Sequence, residues 1–122
     1  MNEPILSVTA RDVAGEVTVI AAVGEIDRDS RDHLRDAAAV ALHHGRHRLV
    51  LDLTAVAFCD SSGLALLVDL HRSTAVHHGW LRLAACPPLL RTSLHATNLD
   101  RLLPMYNTVE DAAADPSPPK PS

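Results

Sequence analysis

The apolar positions in the first part of the chain follow two different periods. From Val17 to Val23 an apolar side chain occupies every second position, which is typical of a β-strand. The turn-forming segment Ala14-Gly15-Glu16 follows a weaker alternation, so a β-hairpin is predicted at the start of the chain. Between Leu34 and Leu42 apolar residues recur at helical spacing, and charged residues fill the other face. This pattern predicts an amphipathic helix with Ser30 as its N-cap.

The middle of the chain repeats the order of strand and helix. Residues 49–53 form a short apolar run that ends in a loop through Thr54, which predicts a strand buried on both faces. An apolar stripe that begins at Leu64 predicts a second helix. Alternation at residues 81–85 then predicts a fourth strand, so the β-α-β order continues.

The last part of the chain contains signals for two further helices and one strand. Pro87 and Pro88 suit the first turn of a third helix, because proline lacks the N–H that a helix start leaves unbonded. Residues 102–106 are expected to form a short last strand. Thr108, with Asp111 three residues later, resembles a capping box and predicts a short terminal helix.

Together these elements predict an α/β fold. Strands that alternate with helices after an initial hairpin give a mixed β-sheet flanked by about four helices. A chain of 122 residues, 47% of them apolar, has the size of one domain with its own core. We assign residues 1–114 to this domain and expect the Pro/Ser-rich residues 115–122 to form a disordered tail.

Composition and charge argue against several classes of partner. The net charge is −4 and no basic run is present, so neither nucleic acid nor an anionic membrane is an expected partner. The N-terminal residues do not show the basic and then apolar pattern of a signal peptide, and no apolar stretch approaches the ~18 residues that span a bilayer, so we expect a cytoplasmic protein. Cys59 and Cys86 lack CxxC spacing and are expected to be buried thiols. We expect no cofactor and no metal.

The most unusual local sequence is the segment from Phe58 to Leu64, which joins the third strand to the second helix. It places Asp60, Ser61 and Ser62 at the start of the helix, where such side chains commonly act as caps. The N–H groups and dipole of a helix start also favour an added anion, so a phosphoserine would be tolerated there. Spacing alone leaves both interpretations open.

Two segments resemble motifs of one known family. Asp60-Ser61-Ser62-Gly63-Leu64 is similar to the Asp-Ser-[Ser/Thr]-Gly-Leu segment of the STAS-domain anti-sigma-factor antagonists, and Gly24-Glu25-Ile26-Asp27 resembles their Gly-Glu-[Leu/Ile]-Asp segment. A weaker likeness runs from Leu94 to Ala112, so that the resemblance covers nearly all of the predicted domain. The chain departs from the family at Ala65 and Asn98, where glycine is common. Asn tolerates a positive φ, so the second change is mild.

The resemblance implies a binding switch and not an enzyme. The unphosphorylated form would bind an anti-sigma factor that is also a serine kinase of the histidine-kinase-like ATPase type, so that a sigma factor is released. Phosphorylation of Ser61 would end this binding, and a serine phosphatase would be a further partner. A side chain at the glycine of the motif is expected to crowd the kinase before it disturbs the fold. The partner-binding residues implied are Glu25, Asp27, Asp60, Ser62, Gly63 and Leu64.

Other functions have weaker support in the sequence. A Ser61 nucleophile would need Gly-x-Ser-x-Gly, but Cys59 stands at the first glycine position. A phosphorelay receiver with Asp52 as acceptor would need a nearby lysine, and the lysine of this chain is Lys120. The same family resemblance also allows a STAS scaffold, or a nucleotide-binding subunit of a signalling assembly, without a dedicated kinase.

Histidine pairs at two positions raise the question of a metal site. Each pair precedes a glycine, as His43-His44-Gly45 and His77-His78-Gly79, and no metal-binding frame such as HExxH accompanies them. Histidine suits a helix C-terminus, and glycine suits the C′ position after it. We therefore interpret both segments as helix ends.

Overall fold

A five-stranded mixed sheet with strand order β1-β2-β3-β4-β5 forms the centre of the structure, a computed structural model that describes residues 5–116. The first two strands pair antiparallel as a hairpin, and the remaining pairs are parallel. This arrangement confirms the α/β prediction. The elements are β1 (Leu6–Val13), β2 (Val17–Ile26), α1 (Arg31–His43), β3 (Arg48–Cys59), α2 (Ser61–Val76), β4 (Trp80–Ala84), α3 (Pro88–Ala96), a 3-10 turn (Leu99–Arg101), β5 (Met105–Tyr106) and α4 (Val109–Ala114).

The sheet has two unequal faces, because successive side chains of a strand point in opposite directions. On one face the buried leucines of β3 and β4 pack against α1, α2 and α3 and form the main core. The other face carries a smaller cluster in which Val17, Val19 and Val50 pack with Ala112 of α4. The three longer helices therefore lie on one side of the sheet, and α4 lies on the other.

The third strand is longer than the apolar run predicts. It extends past Thr54 to Cys59, and Cα pairing with β2 continues through Glu25↔Phe58 and Ile26↔Cys59. Two register shifts between β2 and β3 in this segment change which side chains point toward the core and which point toward solvent. The predicted loop through Thr54 is therefore wrong, because hydrogen bonding to β2 continues the strand through a segment in which most side chains are exposed.

The C-terminal elements differ from the prediction in two places. Residues 99–101 form a 3-10 turn after Asn98, which has a φ of 61°, and the last strand is confined to Met105 and Tyr106. The capping of α4 is confirmed, since the Asp111 N–H donates to Thr108 Oγ1 at 3.0 Å. The tail predicted at residues 115–122 falls mostly on residues 117–122, which lie outside the described part of the chain.

The two histidine-glycine segments both end helices, but in different ways. After α1, Gly45 has a φ of +77°, as predicted for a C′ glycine. After α2, His78 has the positive φ of 62°, so the C′ assignment of Gly79 is wrong. Gly79 lies so close to the His47 carbonyl oxygen that an added Cβ would collide with it. The second glycine is therefore required by close packing and not by helix termination.

Candidate functional site

The two segments that resemble family motifs meet where β2 and β3 end. These strands are parallel neighbours, so their carboxyl ends lie at the same edge of the sheet. The Asp60 N–H donates to the Ile26 carbonyl oxygen at 3.1 Å, directly after the last strand pair. Residues 24–27 and 60–64 therefore form one continuous surface, which we call the motif edge.

Asp60 caps the N-terminus of α2. Its Oδ1 accepts hydrogen bonds from the Gly63 N–H at 3.0 Å and from the Ser62 hydroxyl at 2.6 Å. The Ser62 hydroxyl is the largest cause of a lowered pKa for the Asp60 carboxyl, followed by the Gly63 N–H, and the Arg28 N–H adds a smaller effect. The capping interpretation is thus correct for Asp60, and Ser62 is engaged by this carboxylate.

Ser61 differs from both of its neighbours. It is the first residue of α2 and is exposed. Within residues 5–116 its hydroxyl has no hydrogen-bond partner, so it contributes nothing evident to the cap. No histidine pairs with it there, and a nucleophile without a general base does not support the hydrolase alternative. The geometry leaves this hydroxyl open to a modifying enzyme.

Asp27 organises the turn between β2 and α1. Its Oδ1 accepts from the backbone N–H groups of Asp29 at 3.0 Å and Ser30 at 2.9 Å. Ser30 occupies the N-cap position of α1, but its side chain does not cap the helix. The Ser30 hydroxyl instead donates to the Glu25 carbonyl oxygen at 2.7 Å and accepts from the Asp27 N–H at 3.0 Å. The predicted side-chain cap is therefore replaced by a bond that closes the turn.

Gly63 and Leu64 are buried members of the motif edge. Leu64 is 9% exposed and belongs to the main core. A Cβ at Gly63 would lie 2.6 Å from Cys59 Sγ and 2.9 Å from Ile26 Cγ2. A side chain at Gly63 would therefore collide first inside the chain, which argues against the expectation that it would obstruct a partner before it disturbed the fold. Its effect on docking stays a prediction.

Arg31 is a residue of this edge that the sequence reasoning missed. Its Nη1 donates to the Ser62 carbonyl oxygen at 3.2 Å, which connects the start of α1 to the first turn of α2. The side chain is half-buried. No local pattern in the sequence indicates this contact, because it joins residues 31 positions apart.

The two cysteine thiols are unreactive at neutral pH. Burial raises the pKa of the Cys59 thiol to about 12 and that of Cys86 to about 11, so both are protonated at neutral pH. Both cysteines are free, Cys86 is buried and Cys59 partly so, which agrees with the buried-thiol prediction. Across residues 5–116 no group of three or more potential ligands is arranged to hold a metal ion, and no helix is long and apolar enough to cross a membrane.

Comparisons with known proteins identify the family. The family model described as "Mlab, STAS domain" matches residues 9–104. An anti-sigma factor antagonist from Mycobacterium paratuberculosis is 31% identical, with a TM-score of 0.80 over 93% of this chain and 96% of that one. The chain therefore belongs to the STAS-domain family of anti-sigma factor antagonists.

Two more distant structures share the fold. A putative anti-sigma factor antagonist from Thermotoga maritima has a TM-score of 0.81 at 22% identity, with 87% of this chain and 91% of that one covered. The Bacillus cell fate determinant SpoIIAA, in its phosphorylated form, has a TM-score of 0.70 at 23% identity, with 88% and 96% covered. At these identities the likeness concerns the fold alone.

Proposed function

We propose that this protein is a phosphorylation-controlled antagonist of an anti-sigma factor. Its unphosphorylated form binds an anti-sigma factor that is also a serine kinase with a histidine-kinase-like ATPase domain, and a sigma factor is thereby released. Phosphorylation of Ser61 by that kinase ends the binding, and a serine phosphatase restores it. The role is one of binding and not of catalysis. Such a partner would place the protein in the cytoplasm, where sigma factors act.

The observation that carries this proposal is the state of the Ser61 hydroxyl. It is exposed, has no bond to another described residue, and stands beside the Asp60 carboxylate, whose bonds are directed into its own turn. A phosphate there adds roughly −1.5 to −2 charge and leaves every hydrogen bond of the cap in place. Forcing that charge into an interface costs a few kcal/mol. Each 1.4 kcal/mol lowers the affinity about tenfold.

The comparisons support the same proposal. The Mycobacterium paratuberculosis relative is named as an anti-sigma factor antagonist, and SpoIIAA was solved in a phosphorylated form. Both share the fold of this chain, in which Ser61 follows the end of the parallel strand β3. Phosphorylation that leaves the fold intact is therefore a reasonable expectation for this chain.

The predicted partner-binding residues divide into two groups by burial. Glu25 is exposed, and Asp27, Asp60 and Ser62 are partly exposed, so these side chains would face the partner. Buried Gly63 and Leu64 would instead act by keeping the surface in shape. We therefore propose that Glu25, Asp27, Asp60 and Ser62 surround Ser61 at the contact surface, and that the partner presents no charge there that would pair with an added phosphate.

The first experiment tests phosphate transfer and binding together. The protein would be incubated with ATP and each histidine-kinase-like anti-sigma factor encoded in the same genome, and the modified residue mapped by mass spectrometry. Binding would be measured for wild type, Ser61→Ala and Ser61→Asp. Ser73→Ala is the matched control, because it removes an exposed serine hydroxyl from the same helix outside the motif edge. We expect phosphate on Ser61, binding by Ser61→Ala, and at least tenfold weaker binding by Ser61→Asp.

Two results would contradict the proposal. Modification at Ser62 with Ser61 untouched would move the switch to another residue. No modification with any of these kinases, together with equal binding by all variants, would favour a STAS scaffold or a nucleotide-binding subunit. In that case Ser61 would be only the first residue of a capped helix.

A further inference from the structure

Arg31 brings a positive charge to the first turn of α2. Its Nη1 is 3.2 Å from the Ser62 carbonyl oxygen, and its backbone N–H is fixed by the Asp27 carbonyl oxygen at 2.9 Å. In the part of the chain that the structure describes, no carboxylate forms an ion pair with this guanidinium. The charge is therefore held in position by a neutral group.

The contact leaves most of the guanidinium available. Arginine has five N–H donors in a planar fork, and the contact to Ser62 uses one of them. Ser61 and Ser62 are consecutive residues in the first turn of α2, so Arg31 contacts the residue next to the proposed phosphoacceptor. The Asp60 carboxylate forms no ion pair with this cation in residues 5–116, and its Oδ1 accepts instead from the Ser62 hydroxyl and the Gly63 N–H.

We propose that Arg31 is the intramolecular counter-charge of phosphorylated Ser61. This inference rests on the proposed function in taking Ser61 as the phosphoacceptor. A planar guanidinium pairs with two phosphate oxygens at once, which holds the phosphate in one orientation across the start of α2. The pair favours the doubly ionised phosphate, so phosphorylated Ser61 would carry its full negative charge at neutral pH.

The test is a titration of the phosphate itself, without kinase or partner. Phosphoserine would be placed at residue 61 by genetic encoding, and its second ionisation followed by phosphorus NMR in wild type, Arg31→Gln and Arg35→Gln. Arg35 is the matched control, because it is one helical turn further along α1 and pairs with Asp32 at 3.4 Å. An adjacent opposite charge lowers the pKa of an acid. We expect the phosphate pKa in Arg31→Gln to be higher by about 0.5 or more than in wild type.

The outcomes separate this inference from the proposed function. An unchanged phosphate pKa in Arg31→Gln would overturn the inference about Arg31. Equal increases of this pKa in Arg31→Gln and Arg35→Gln would assign the effect to the general charge of α1. Arg31→Lys should restore part of the shift, which excludes a folding defect as the cause. Since the phosphate is installed without an enzyme, failure of Ser61 as a kinase substrate would leave this result unaffected.

Discussion

Gly63 couples the two motifs at the level of a single residue. The space its side chain would occupy is filled by Cys59 from the end of β3 and by Ile26 from the end of β2. The Ile26 carbonyl oxygen, 3.1 Å from the same point, also accepts the Asp60 N–H. The absence of a side chain at this position lets the first turn of α2 close onto the strand that carries the other motif.

Replacing Gly63 by alanine should therefore destabilise the fold. The new methyl group forces Cys59 and Ile26 to move, and overpacking of this kind costs about 1–3 kcal/mol, of which alanine's better helix propensity offsets part. The free energy of unfolding would be measured by urea denaturation. Ala65→Val, an exposed change in the same helix, is the control and should have a much smaller effect. Equal losses would show that the close packing at Gly63 is not the cause.

At the scale of elements, the sequence predicts the hairpin and the order of strands and helices, but not where each element stops. β3 continues past Thr54 because β2 supplies hydrogen-bond partners, and that pairing leaves no mark on the periodicity of one strand. The role of Ser30 was missed for a similar reason, since the carbonyl of Glu25 competes for its hydroxyl. The cap by Asp60 was predictable because it depends on residues three positions apart.

The start of α2 also gives a pH-dependent prediction. The pKa of Asp60 is below its ordinary value of 3.8, so its ionised form stabilises the folded state above that pH. This stability is lost as the pH falls from 3.8 through the lower folded-state pKa. Ser62→Ala removes the largest cause of the shift and should raise the Asp60 pKa towards 3.8, as measured by carbon NMR of the carboxyl group.

The control for this prediction lies in the same helix. Ser73 is exposed and donates to the Asp69 backbone oxygen at 3.0 Å, so Ser73→Ala removes a serine hydroxyl without touching the cap. The Asp60 pKa should not change in that variant. If it stays low in Ser62→Ala as well, the Gly63 and Arg28 N–H groups would be sufficient to hold the carboxylate.

At the scale of the whole molecule, the sheet separates the motif edge from the C-terminal helix. Arg82 holds α4 on the far face: its guanidinium stacks 3.8 Å from the centre of the Trp80 ring and donates to the carbonyl oxygens of Ala112 and Asp115, each at 2.9 Å. The Tyr106 hydroxyl donates to Asp115 Oδ2 at 2.6 Å. The Arg82 bonds to Ala112 and Asp115 join residues 30 and 33 positions apart, so no local pattern predicts them.

Arg82→Met should therefore loosen α4 and spare the motif edge. Methionine keeps an apolar stem over Trp80 but loses charged hydrogen bonds, which contribute about 1.5–3 kcal/mol each. In Arg82→Met, amide hydrogen exchange should rise first at residues 109–115. The control is Arg48→Met, which loses an exposed bond to the Gly15 carbonyl oxygen and should leave α4 protected. Phosphate transfer to Ser61 should be unchanged in both variants, because α1, α2 and α3 lie across the sheet from α4. A loss of transfer in Arg82→Met alone would mean that the two faces communicate through the strands, and the motif edge would then depend on the docking of α4.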